Sequence, residues 1–322
     1  LDSLWAWRKL FYAILLIPVF SDPTWKNRFL ECYFYASLLG LLTSFLSWGG
    51  VIEFQIEEVP GVVLQNWTTQ GMMFAIAALV AYYLALKSHN KLRVLILMVG
   101  TAFVFNIIFI TPGRSGYIAL VFILCTIGIS TFQFKRLPLI LTCICVASLG
   151  AYFSSEKMRG KLELGWAEAE SFIKQENTRL NSISFRITAY QNTFEIIKQR
   201  PLYGFGTGGF SEAYRDQVQN QYSDWRALPT TDPHNQYLLI LAENGVIGLT
   251  VFIFFIFSFF FSKMEKNEYF FIGVGVLGTW ALTSLFSSHF RTFPEGHLIG
   301  LFLGVVLASE KRESTFYFFR KN

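Results

Sequence analysis

Long apolar runs alternate with short polar breaks along almost the whole chain. Runs at 29–48, 70–87, 92–111, 115–132, 137–153, 246–262, 269–288 and 294–309 each approach the ~20 residues a helix needs to cross a bilayer. A shorter run, LFYAILLIPVF at 10–20, is a candidate further span. The one long polar interval, 154–233, holds two stretches with helical amphipathicity, SEKMRGKLELGWAEAESFIKQ and SFRITAYQNTFEIIKQRPLYGFGTGGF. In the second, Ile187, Tyr190, Phe194 and Ile197 share a helical face, Ser182 or Ser184 can cap its start, and Pro201 marks its end. The pattern predicts an all-α protein, a polytopic transmembrane helical bundle. Spans fill 1–153 and 234–310, a helical extramembrane subdomain occupies 154–233, and a tail covers 311–322. The chain opens on Leu1 with no signal peptide, so further spans are expected ahead of it.

Composition agrees with that pattern. Mean hydropathy is +0.41 and only 15% of residues are charged, far below the quarter usual in soluble domains. The net charge of +5 is no nucleic-acid signal, because the basic residues sit mostly between spans. Lys26 and Arg28, Lys87, Lys91 and Arg93, Lys135 and Arg136, Lys263 and Lys266, and Lys311 and Arg312 all fall on one side, which the positive-inside rule assigns to the cytoplasm. On the other side, 49–69 carries Glu53, Glu57 and Glu58 without a Lys or Arg, and the short turns carry one arginine each, Arg114 and Arg291. Arg8 and Lys9 do not fit this alternation. Cys32, Cys125, Cys143 and Cys145 lie inside apolar runs, giving neither a disulfide framework nor metal-ligand spacing, and Cys143 and Cys145 read as packing residues. No cofactor or metal is expected.

Polar chemistry concentrates on the outer side. Arg114, in TPGRSGY, either snorkels at the bilayer edge or grips an anion, helped by Gly113, Ser115 and the helix start. Arg186 is a solvated helix-face residue or a second anion ligand. The glycine-rich RPLYGFGTGGF that follows is no Walker loop, since no Gly-Lys-Ser/Thr ends it; close backbone approach or a tight turn explains it. His234, in TTDPHNQYLLILAENGVIGL, is a cap or interface residue or a proton-transfer group. Asp232 is placed to orient it, and Asn235 and Glu243 offer further polar contacts. His289, Arg291, Glu295 and His297 form a last cluster before the final span, while His89 belongs to the basic side.

PHNQYLLILAENGVIGL resembles the signature of the O-antigen ligase/polymerase superfamily, with His-Asn, an apolar helix, then Gly245, Gly248 and Leu249. SFRITAYQNTFEIIKQRPLYGFGTGGF is similar to the family's preceding block, and GRSGY to its Arg-Ser turn. The resemblance covers roughly 60–310. It implies a GT-C-like helical glycosyltransferase of the bacterial inner membrane with its site facing the periplasm. Such an enzyme takes a polysaccharide from undecaprenyl diphosphate to lipid A-core, with Arg114, Arg186 and His234 as functional residues. Implied partners are the lipid-linked donor, the lipid A-core acceptor and membrane lipid, with no nucleic acid. Family ligases have about twelve spans, more than the apolar runs here.

The residue chemistry is compatible with that implication. Fixed arginines stabilise a diphosphate leaving group without a metal, and a histidine can take the acceptor's proton. An O-antigen polymerase, a protein O-oligosaccharyltransferase and an anion transporter remain as alternatives. Transporters usually place ionisable groups or broken helices near the midplane, whereas these candidates lie at the rim.

Overall fold

The computed structural model describes residues 2–308 apart from 57, 112, 133, 175–179, 262–266 and 291. Among the described residues, α-helices follow one another without a strand. They are α1 (Asp2–Phe20), α2 (Pro23–Trp48), α3 (Trp67–Lys87), α4 (Asn90–Phe105), α5 (Arg114–Phe132), α6 (Leu137–Ser154), α7 (Glu156–Ile173), α8 (Ser182–Gln199), α9 (Phe210–Gln219), α10 (Gln236–Phe261), α11 (Glu268–Thr283) and α12 (Phe293–Leu307). Six helices are long and apolar enough to cross a bilayer: α2, α3, α4 with a π-helical extension to Ile110, α5, α6 and α10. The protein is an all-α, multi-pass membrane protein. Two expected spans, in α11 and α12, are shorter apolar helices. The run expected to reach 288 stops being helical at Thr283, because Ser284 closes α11 and the chain turns through Ser288 into Phe290.

α3 is the centre. Every residue from Phe74 to Ala81 is buried, as expected for a helix apolar all round. α2, α4, α5 and α11 pack around it. A close crossing with α5 is at Gly71 and Gly116, where a Cβ on Gly71 would lie 2.7 Å from the Gly116 Cα. Small residues permit such approach where no hydrophobic effect drives helices together. α6 contributes little to this core, and Cys143 and Cys145 lie exposed on it rather than packed.

A second glycine contact joins α1 to α12. Gly296, Gly300 and Gly304 form a stripe along α12, and α1 lies on it. A Cβ on Gly300 would stand 2.5 Å from the Lys9 carbonyl oxygen, and one on Gly304 2.9 Å from the Leu16 Cβ. Positions rise together along both helices, so they run in the same direction. Lys9, which the charge pattern left unexplained, is buried and donates to the carbonyls of Phe290 (3.0 Å) and Thr292 (2.6 Å). It is a packing and capping residue, not a topology signal. Phe290 itself is wedged against Trp7, Phe252 and Trp280, tying α1, α10 and α11 together.

The two ends of the bundle differ. One gathers Lys26, Asn27, Lys87, Glu268 and Ala308, through Lys26 Nζ to the Ala308 carbonyl (2.7 Å), Lys87 Nζ to Asn27 (2.9 Å) and the Lys87–Glu268 ion pair (2.9 Å). Lys263, Lys266, Lys311, Arg312 and the tail lie outside the described residues. The opposite end carries the 49–66 loop, the Arg114 turn, the 284–292 turn and the subdomain of α7, α8 and α9.

That subdomain has a small core of its own, in which Ala189 and Ile196 of α8 and Phe210, Tyr214 and Val218 of α9 meet Leu239 and Ala242 of α10. α8 is capped by Asn181, with Ser184 answering as the capping-box partner, rather than by Ser182 or Ser184 themselves. The expected apolar face is only partly the buried one. Ile197 is buried but Phe194 is half exposed, because α8 seats its small residues Thr188, Ala189 and Thr193 inward and lets its neighbours come close.

The subdomain is fastened to the membrane helices by an exchange of main-chain hydrogen bonds. Gly245 (φ 64°, ψ −169°) breaks α10, leaving donors and acceptors without helical partners. The turn after α8 supplies them. Phe205 and Gly206 donate to the carbonyls of Ala242 (3.0 Å) and Glu243 (2.7 Å), and Val246 and Ile247 donate to those of Pro201 (2.9 Å) and Leu202 (3.4 Å). Gly245 has no room for a Cβ, which would collide with the Leu202 carbonyl. Its backbone region is also one that essentially only glycine occupies. Gly245→Ala is expected to lose roughly 1–3 kcal/mol of stability, whereas Gly150→Ala, with nothing within 4 Å of the added Cβ, should change little. Unfolding of both variants in mixed micelles measures the difference.

Candidate active site

The Arg114 turn is set from below by a buried polar network. Gln70 Oε1 accepts from the main chain of Val63 (2.8 Å) and Leu64 (3.1 Å), and its Nε2 donates to the Gly61 carbonyl (2.8 Å) and Thr111 Oγ1 (3.0 Å). Asn106 completes it, donating to Ser44 (2.8 Å) and accepting from Thr111 (2.7 Å). Asn106 also opens the π-helical turn Asn106–Ile110, closed by Thr111 N–H to its carbonyl (2.8 Å). Such turns often mark functional positions. Here the turn ends, at Ile110, four residues before Arg114, which starts α5.

The Arg114 guanidinium lies against Gly165 of α7, at a place where any Cβ would collide with it, and its Nη2 reaches Ser182 Oγ at 3.4 Å. Arg186, one turn into α8, is half-buried beside it. The two arginines line one cavity of about 310 Å³ together with Ser115, Tyr117, Ile183 and Phe286. Among the described residues, no carboxylate lies within ion-pair distance of either guanidinium. Burial, followed by the field of Arg114, pulls the Arg186 pKa down, while Tyr190, Asp232 and Glu168 act in the opposite direction. Two like charges held together with no carboxylate in contact form a site with appetite for an anion.

His234 lies close enough for Arg186 to act on its charge, although it is not among the residues lining that cavity. It is half-buried in the left-handed region (φ 56°), and its ring meets the edge of Phe185 at 5.7 Å. Asp232 holds this conformation. Its Oδ1 accepts from the His234 main-chain N–H (2.7 Å) and from Ser288 Oγ (2.6 Å). Tyr190 Oη donates to the carbonyls of Leu285 (2.9 Å) and His234 (3.3 Å). Asp232 thus supports the histidine through the backbone and through its field. Asn235 is a helix cap, its Oδ1 accepting from Tyr237 (3.0 Å) and Leu238 (3.1 Å), and Glu243 is buried near the α10 break, so neither stands at a mouth. Ser288 and Phe185 went unnoticed in the sequence, and Tyr190 was read there only as part of an apolar helix face. Tyr190 alone carried a signal, one helical turn beyond Arg186.

The last polar cluster is mostly structural. His289 is fully buried and stacks on Trp280, with Nδ1 3.9 Å from Glu295, which also accepts from Thr69 Oγ1. His297 meets the Tyr12 ring in a tilted contact (5.7 Å), and Arg291 lies outside the described residues. His89 precedes α4 at the basic end.

An all-α, multi-pass membrane protein with an arginine pair beside a histidine is the class that fold and site define. Residues 99–253 match a sequence model described as O-antigen ligase, and this match supports the O-antigen ligase family for that stretch of the chain. The matched stretch contains Arg114, Arg186, His234 and the Gly245 break. An uncharacterized protein of Haemophilus influenzae is 27% identical over 162 residues, 48% of this chain and 40% of that protein. The chain therefore matches about two fifths of that relative's length.

The His234 pKa is lowered, by burial first and with Arg186 adding to the effect, while Asp232 opposes it. A histidine depressed below 6.5 stays neutral at pH 7 and contributes stability that is lost as pH falls through its folded pKa. Arg186→Gln should move its titration upward and Asp232→Asn downward. NMR of histidine-labelled protein, with the other three of its four histidines assigned by substitution, reads both shifts without an activity assay. Titration unmoved by either change would mean that the ring does not sense these charges.

Proposed function

We propose that this protein is a glycosyltransferase of the outer face of the bacterial inner membrane. It transfers an O-antigen polysaccharide from undecaprenyl diphosphate to a sugar hydroxyl of lipid A-core. The observation that carries the proposal is the Arg114–Arg186 pair, two guanidiniums facing one cavity with no carboxylate within ion-pair distance among the described residues. The charge pattern supports the orientation, because the basic end suits the cytoplasm and puts the arginines on the periplasmic side.

The chemistry follows from the charges. As the bond from the anomeric carbon to the diphosphate oxygen breaks, negative charge grows on the diphosphate, and the two guanidiniums stabilise it by bidentate contact. The acceptor hydroxyl oxygen forms the new bond on the opposite face and its proton passes to neutral His234. One displacement inverts the anomeric configuration. No step calls for a metal or a nucleotide, because the donor arrives activated. Anchoring both substrates in one membrane supplies much of the remaining acceleration.

Reconstituted protein with lipid-linked donor and lipid A-core in excess EDTA is the direct test. Full activity is expected, and abolition restored by a divalent ion would overturn the arginine-only account. His234→Ala should keep donor binding while single-turnover rate falls by roughly 10²–10⁴. Arg114→Lys or Arg186→Lys should weaken donor binding or leaving-group stabilisation, and Asp232→Asn should be milder. Near-normal turnover of His234→Ala at saturating acceptor would make His234 structural. In cells, loss of the gene should leave core-only lipopolysaccharide with accumulated lipid-linked polymer. A single repeat on the core would indicate a polymerase instead, and loss of glycosylated protein a protein transferase.

A further inference from the structure

α7 carries a question the site does not use. Trp166 is 75% exposed and Ile173 77% exposed, although the helix packs against α6, α8 and the π-helical turn. At 100° per residue, Leu162, Trp166, Ala169 and Ile173 fall within one narrow stripe. Their large apolar surface is not part of the subdomain's core.

The contacts of α7 fix its level. Ser155 Oγ, its N-cap, donates to the Ile108 carbonyl (2.7 Å), and Lys157 Nζ reaches the Ile110 carbonyl (3.5 Å). Lys161 Nζ lies 4.6 Å from the Trp67 ring centre, and Gly165 backs onto Arg114. Ile108 and Ile110 end the fourth span, Trp67 begins α3 and Arg114 begins α5. Four successive points along α7 thus touch the same end of three spans, so the helix lies across the bundle at the height where those spans leave the bilayer.

Its faces sort accordingly. The side carrying Lys161 and Gly165 meets the protein. Leu162, next to it, lines the cavity of Arg114 and Arg186. Trp166 and Ile173 continue the stripe beyond that cavity, Arg159, Glu163 and Glu170 follow on its far side, and exposed Leu164 lies on the opposite flank. Behind α7, α6 presents exposed Val146, Leu149 and Phe153 along one side, an apolar surface that runs up to the start of α7. Tyr152 Oη to Glu163 (2.9 Å) holds the two helices together at the corner. Helices that lie in a membrane interface have this form, with an aromatic ring at headgroup level and charges bordering the apolar stripe.

We infer that α7 is an interfacial helix, whose Trp166–Ile173 stripe rests in the lipid headgroup and upper acyl region beside α6. The occupant of this surface is bilayer lipid. α7 holds Glu156, Lys157, Arg159, Lys161, Glu163, Glu168 and Glu170, nearly balanced, so the contact is apolar and does not depend on anionic lipid. The inference stands apart from the proposed activity, and its test uses none.

The test compares Trp166→Phe with the unaltered protein, both reconstituted into phosphatidylcholine vesicles at high lipid-to-protein ratio. The difference between their emission spectra isolates Trp166 from the other seven of the eight tryptophans. Lipid brominated near the top of one acyl chain should quench that difference emission by more than half, and lipid brominated near the chain end should quench it less. Replacing part of the phosphatidylcholine with phosphatidylglycerol should leave the quenching unchanged. Difference emission equal in brominated and plain vesicles would overturn the inference. If it is also blue-shifted, a protein surface or a second copy covers the stripe, and if red-shifted, the stripe faces water. An Ile173→Asp variant in the same vesicles gives a second reading. It should weaken quenching of Trp166, and unchanged quenching would again count against lipid contact along the stripe.

Discussion

The exchange of main-chain hydrogen bonds at Gly245 is the contact on which the rest of the outer architecture depends. A helix interrupted beside a membrane leaves peptide groups that lipid cannot satisfy, each costing several kcal/mol. The turn 201–206 satisfies four of them from outside the helix. In return the turn gains a fixed position, which fixes the end of α8 and, through α8, the place of Arg186. The N-terminal part of α10 is anchored by the same exchange, and it begins two residues after His234. One backbone joint therefore locates two of the three candidate functional side chains relative to the membrane.

The other outer constraint is the 284–292 turn. It receives bonds from α1 through Lys9, from α8 through Tyr190, from the His234 strap through Asp232, and from α10 through Gln236, whose Oε1 accepts the Phe290 N–H (2.9 Å). The bundle thus presents a rigid floor to the strap bearing His234. The left-handed backbone of that histidine is tolerable only because Asp232 and Tyr190 hold it from both sides.

Much of this was legible in the sequence because bilayer thickness imposes a length on apolar runs, and lipid imposes helix on them. Gly245, where α10 breaks, stands at the edge of the run expected from 246, but the apolar pattern marked no break there and the apolar span reaches back to Gln236. What the sequence did not reveal depends on approach between distant segments. Lys9 reads as a charge to be assigned a side, and only its burial against residues some 280 positions away explains it. The glycines of PLYGFGTGGF announced a tight turn but not their partner in α10. Ser288 sits in an unremarkable polar turn, and nothing in its spacing pointed to Asp232. The buried face of α8 was misjudged because its inward residues are small or polar, so the helix is held by close approach rather than by bulk.

The seating of α1 on the glycine stripe of α12 bears on how the protein is made. The two helices run the same way through the membrane, yet Lys9 and Phe290 are separated by 281 positions. At a synthesis rate of about 5–20 residues per second, α1 waits on the order of 15–60 s in the bilayer before its partner exists. Throughout that wait its contact face, with a lysine in it, must be sheltered by lipid, by water at the interface or by the insertion machinery. The later helix α12 closes back onto the earlier α1, so a chain truncated before Gly296 lacks the surface that seats α1.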